Sequence, residues 1–91
     1  MDDVIAAWPA EFEALLREQL HDLPRHDPIP AGTSLIELGL DSLGAVSLIT
    51  EAEEAFGVSF GEELLDPRFF SSAAHLWSVV ERLRAEQGVT A

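Results

Sequence analysis

No run of this 91-residue chain alternates apolar and polar residues with period two, whereas three separate stretches repeat their apolar residues at spacings of three and four. A sheet scaffold is thereby excluded. Helices packed on helices are left as the way to bury an apolar face, and the expected fold class is all-α: a four-helix bundle with three longer helices, one short one, and a long loop between the first and second. The length holds a single core, so residues 1–91 read as one domain. There is no Cys for a disulfide or thiolate site, so stability rests on packing.

The first stripe runs between Asp3 and His21 through Ile5, Trp8, Phe12, Leu15, Leu16 and Leu20. Pro9 lies inside it, so the helix either kinks there or starts there as its first residue. Asp22 to Gly32 carries Pro24, Pro28 and Pro30 with no period and reads as loop. Ser34 with Glu37 matches a capping box and predicts one helical turn, anchored by Leu35, Leu38 and Leu40. Asp41 then offers an N-cap. From Ser42 to Phe56 the core series is Ala45, Leu48, Ile49, Ala52 and Phe56, with Gly57 as a left-handed stop, after which Val58 and Phe60 re-enter the core. Asp66-Pro67 opens a short helix through Phe69 and Phe70. Ser71 or Ser72 caps the last helix, with stripe Ala73, Leu76, Val80 and Leu83, Trp77 alongside and Gly88 just past the end.

Seventeen acids face five arginines, for a formal charge of −12 at pH 7. Such a chain repels phosphate backbones and anionic lipid and favours partners with basic surfaces, so nucleic acid and membrane are not expected ligands. No apolar run approaches the ~20 residues of a membrane span. Met1, Asp2 and Asp3 have the wrong charge for the start of a secretory signal. A cytoplasmic monomer is expected. Catalytic constellations are scarce. His21 and His26 flank Pro24 at a spacing that does not share a helix face, and His75 stands alone, so all three read as solvated. Glu53 with Glu54, and Glu62 with Glu63, are adjacent and diverge as a solvated acidic face. No metal site is expected.

One segment stands apart: Leu38-Gly39-Leu40-Asp41-Ser42-Leu43. Its serine falls in the first turn of a helix, behind an acidic cap, where free N–H groups and the positive end of the helix dipole favour a phosphate ester on the hydroxyl. No His or Lys lies nearby in sequence to deprotonate Ser42, so another enzyme must modify it. Gly39-Leu40-Asp41-Ser42-Leu43 resembles the modification motif of acyl and peptidyl carrier proteins, and the likeness extends from the first helix and Pro-rich loop through Phe56-Gly57-Val58 to the last helix. The resemblance implies that a phosphopantetheinyl transferase converts Ser42, with coenzyme A and magnesium, to a 4'-phosphopantetheine ester. The thiol of that arm would hold an acyl or aminoacyl thioester. A loading enzyme (an adenylation enzyme or acyltransferase) and downstream transfer or condensation enzymes would be the further partners.

Carriers of primary fatty-acid synthesis are rich in acids just after the modified serine. Here those positions are Leu43, Gly44, Ala45, Val46, Ser47 and Thr50, with charge delayed to Glu51, Glu53 and Glu54. This looks more like carriers of polyketide or nonribosomal peptide pathways, and the initial Met1 suggests a stand-alone protein. The partner face is expected at Asp41, Leu43, Val46, Ser47, Thr50 and Glu54, off the core face of the second long helix. At the sequence level Leu43 could instead tuck beneath the Pro-rich loop. A cofactor-free acidic helical adaptor remains the alternative function.

Overall fold

The computed structural model describes residues 8–24, 26–61 and 66–87. Among them the regular elements are all helical: α1 (Ala10–Gln19), α2 (Ser42–Phe56), a 3-10 turn at Pro67–Phe70 and α3 (Ala73–Glu86). The short third helix of the expected bundle is thus a single 3-10 turn. Only four residues separate its cap, Asp66, from Ser71, and that length closes with tight i→i+3 bonds such as Ser71 N–H to Arg68 C=O.

Pro9 neither kinks α1 nor stands as its first residue. It is the extended N-cap, and its carbonyl accepts from the amides of Phe12 (3.0 Å) and Glu13 (3.1 Å). Glu11 and Glu13 supply negative charge to the first turn, where Pro9 has no side-chain cap to offer. The helix also stops short of His21, because Leu20 leaves helical geometry at ψ 79°. Ile5, Gly88 and the Glu62–Glu63 pair lie outside the described residues.

The long helix α2 follows its sequence signals. Asp41 caps it by accepting from Gly44 N–H at 2.7 Å, and Gly57 ends it at φ 67°. Ser72, not Ser71, caps α3, accepting from His75 N–H at 3.0 Å. The stripes of α1, α2 and α3 meet in one core, where Phe12 and Phe56 pack against Trp77 with ring centroids 5.0 and 5.2 Å away. Leu16, Leu48, Ile49, Leu76 and Val80 are fully enclosed around them.

The loop between α1 and α2 is tied down at several points. Arg17 ion-pairs with Glu13 and donates to the carbonyl of Asp27 at 2.7 Å. Ala74 N–H bonds Ala31 C=O at 3.2 Å, and Leu35 N–H bonds Phe70 C=O at 3.0 Å. One departure from expectation lies here: Ser34–Glu37 opens a turn over residues 35–39 and not a helix, since after the bonds Leu38 N–H to Leu35 C=O and Gly39 N–H to Ile36 C=O the chain leaves right-handed geometry at Gly39, φ 107°. Its anchors behave as expected, with Leu35 and Leu40 buried and Leu38 half-buried. Beyond α2, Val58 and Phe60 are buried. Their connector is held by Glu53, which accepts from Phe60 N–H, and by Gln87, which both donates to and accepts from the backbone of Ser59. Glu53 is therefore half-buried and engaged, not a member of a solvated face.

Candidate functional site

Ser42 is the first residue of α2 and is exposed. Its position follows from the chain on either side. Asp41, in extended geometry, spends one carboxylate oxygen on Gly44 N–H and so fixes the first turn. Leu40 is buried, and its amide bonds back to Leu35 C=O at 3.1 Å, which pins the approach. Gly39 stands at φ 107°, where a side chain would be strained, and a Cβ there would lie 2.6 Å from the backbone nitrogen of Asp22. Gly44 is buried for a packing reason: a Cβ would meet Gln19 Oε1 at 3.1 Å, so the end of α1 sits directly on the first turn of α2.

Beside Ser42 lies an open groove of about 360 Å³, with Ile36, Val46 and Pro67 on its sides and Ala45 and Phe70 beneath. Among the described residues Asp41 is the one ionisable side chain in that lining. Ser42 thus presents a hydroxyl at the positive end of a 15-residue helix, next to a mostly apolar surface, with no imidazole or amine among the described residues of the groove to activate it. Among the described residues no three His, Asp or Glu side chains converge as a metal site. His21, His26 and His75 are exposed, as their spacing predicts.

A sequence profile described as "Phosphopantetheine attachment site" matches residues 11–68, which include all of α1 but its first residue, the loop, α2 and the start of the 3-10 turn. The chain belongs to this phosphopantetheine-binding family. No curated protein matches the chain. Members of the family are acyl carriers and not enzymes, and they bear a covalently attached 4'-phosphopantetheine group. They work with a phosphopantetheinyl transferase and with partner enzymes. This chain suits that group by its geometry: an exposed seryl oxygen at a helix N-terminus stabilises a phosphodiester, and the groove alongside leaves room for a linear arm.

Of the residues expected on the partner face, Asp41, Leu43, Val46, Thr50 and Glu54 are exposed and Ser47 is half-buried. Leu43, at 80% exposure, does not tuck beneath the loop, and Val46 is 41% exposed. The sequence reading missed Ile36, 58% exposed on the 35–39 turn and on the groove opposite α2. The signal was present: once Leu35 and Leu38 face inward, Ile36 and Glu37 between them have no core position. Ile36, Leu43 and Val46 are the exposed large apolar side chains among the described residues, and Ile36 and Val46 both line the groove that contains Ser42. Among the described residues no helix is long and apolar enough to cross a membrane.

Proposed function

We propose that Ser42 is the attachment residue and that residues 1–91 act as a single carrier domain, holding an acyl or aminoacyl group for a polyketide or nonribosomal peptide pathway. The observation that carries the reading is the exposure of Ser42 at the head of α2 behind its Asp41 cap, inside the segment matched by the family. When attached, the arm supplies a terminal thiol that forms the thioester with the cargo. The part of this chain is to present and hold. Attack of the Ser42 oxygen on the pyrophosphate of coenzyme A forms the new phosphodiester and releases adenosine 3',5'-bisphosphate. The seryl proton passes to a base of the transferase, since the described residues of the groove offer no imidazole or amine.

Enzymes that reach Ser42 must lie against Ile36, Leu43 and Val46, and we assign these three to the partner face together with Asp41, Ser47, Thr50 and Glu54. The apolar character of that rim is what favours secondary-metabolite pathways over fatty-acid synthesis, whose carriers place acids there. Intact mass tests the attachment. Co-expression with a broad-specificity phosphopantetheinyl transferase is expected to add one phosphopantetheinyl group to the parent and none to Ser42→Ala, with helicity unchanged. Mass gain in Ser42→Ala, or none in the parent, overturns the assignment. The mass of the loaded arm from the producing cell tests the pathway.

A further inference from the structure

The 3-10 turn borders two grooves, and Ser42 lies in only one of them. Residues three apart in such a turn eclipse, so Pro67 falls with Phe70, and the cap Asp66 with Phe69. Pro67 and Phe70 line the groove of Ser42, whereas Asp66, Arg68 and Phe69 line a second open groove, of about 480 Å³, against α3. The α3 wall of this second groove is His75, Val79 and Arg82, which share a helix face by their spacings of four and three. Its floor is apolar, since Phe69 and Val79 are buried. Its rim has the opposite sign to the chain as a whole: among the described residues of the lining, two arginines stand against one acid, in a protein of seventeen acids and five arginines. Asp66 pairs with Arg68 at 2.6 Å. Arg82 reaches Glu86, one turn along α3, at 3.9 Å with both side chains 62% exposed, a solvent-screened pair that a docked carboxylate can replace at little cost.

We propose that this groove docks an acidic segment of a partner protein, a stretch of chain with a carboxylate beside an apolar side chain. The apolar side chain covers Phe69 and Val79, the carboxylate takes Arg82 from Glu86, and the exposed ring of His75 adds a hydrogen bond at the rim. Charge selects the occupant. A net charge of −12 repels an acidic chain in general, so one that binds must be read by the local arginines, while a basic segment is drawn to the acids elsewhere. The second groove is also placed for use alongside the first. A partner held against Arg82 and Phe69 meets the turn on the side away from Pro67 and Phe70, so it grips the domain while Ser42 stays open to another enzyme. This docking does not depend on the modification of Ser42.

The probe is a short capped peptide that alternates glutamate with leucine, titrated into the nitrogen-15-labelled 91-residue chain and followed through its amide NMR signals. The amides of Phe69, His75, Val79 and Arg82 are expected to shift, and those of Ser42 and Val46 to stay in place. The glutamine–leucine counterpart should bind the parent about fivefold more weakly, and Arg82→Glu should weaken the acidic peptide by at least as much, the scale of an exposed ion pair lost or reversed. Raising NaCl from about 50 to about 500 mM should weaken the parent's binding several-fold, a readout that requires no variant. The proposal is overturned by an absence of shifts, or by shifts centred on Ile36 and Val46. Equal binding of the glutamine peptide overturns it too, as does an Arg82→Glu variant that binds like the parent.

Discussion

Gly39→Ala isolates what holds the loop against the head of α2. Two penalties act at this position. A φ of 107° places an L side chain in a sparsely populated region, which costs about 1–3 kcal/mol. The added Cβ would also lie 2.6 Å from the backbone nitrogen of Asp22 and 3.0 Å from its Cβ, so the chain leaving α1 must shift, because backbone cannot swing aside as a side-chain tip can. Together these give about 2–4 kcal/mol, or a fall in Tm of roughly 10–25 °C in a domain of this size.

Two further glycines divide that figure. Gly61→Ala shares the positive φ (69°) but has open space around it, and should lose only the strain, about 1 kcal/mol. Gly32→Ala, with nothing within 4 Å of the added Cβ and no positive φ, should be neutral or up to about 1 kcal/mol more stable. The assay is thermal unfolding by circular dichroism, paired with the rate of phosphopantetheinylation. Gly39→Ala should lose more rate than its unfolded fraction explains, because Leu40, Asp41 and Ser42 follow directly. The reasoning is refuted if Gly39→Ala melts like Gly32→Ala, since neither strain nor backbone contact could then be present.

Leu43→Asp and Val46→Asp should each keep stability within about 1 kcal/mol of the parent, as exposed positions do, while transfer to Ser42 or loading slows; Ile36→Asp should behave alike. Early melting of the variants would instead place these side chains in the core. The Arg68 side chain, bonding the Asp66 carboxylate, holds Asp66 down to about 2 from an ordinary 3.8, so its contribution is complete above 3.8 and drains as pH falls toward 2. Arg68→Ala should move the acid unfolding limb upward, and an unmoved limb would show the pair to be irrelevant to the fold.

What the sequence made legible was local. The bounds of α2 could be read because both ends carry their own chemistry, an acidic cap at Asp41 and a glycine at 57, and because its inward series is unbroken over about three turns. Exposure of Ser42 followed from the same cap. The elements misread are those decided by partners far along the chain. The turn after Ser34 ends at Gly39, which stands at φ 107° close against the backbone of Asp22, and nothing near Ser34 announces that approach. Pro9 is fixed as the cap by the amides of Phe12 and Glu13, which donate to its carbonyl. Glu53 reads as a surface acid until the connector folds back and brings the Phe60 amide to it.

The separation of charge from site bears on how such a carrier meets its partners. Nine residues of helix separate Ser42 from Glu51, a rise of about 13 Å, while the Debye length at physiological salt is about 8 Å. The acids of α2 are therefore largely screened from anything docked at Ser42, and Asp41 is occupied as a cap. Charge of −12 can still raise the frequency of encounter with a basic surface, because that field is summed over the whole molecule. Residence is a different matter. It rests on desolvation of Ile36, Leu43 and Val46, each able to contribute roughly 1.5–3 kcal/mol if fully buried against a partner. On the carrier reading, added salt should therefore slow association and leave dissociation nearly unchanged, whereas Leu43→Asp should do the reverse. A carrier that must leave each enzyme after one transfer is served by that division, since three apolar contacts hold a complex without a network of enclosed ion pairs to be undone.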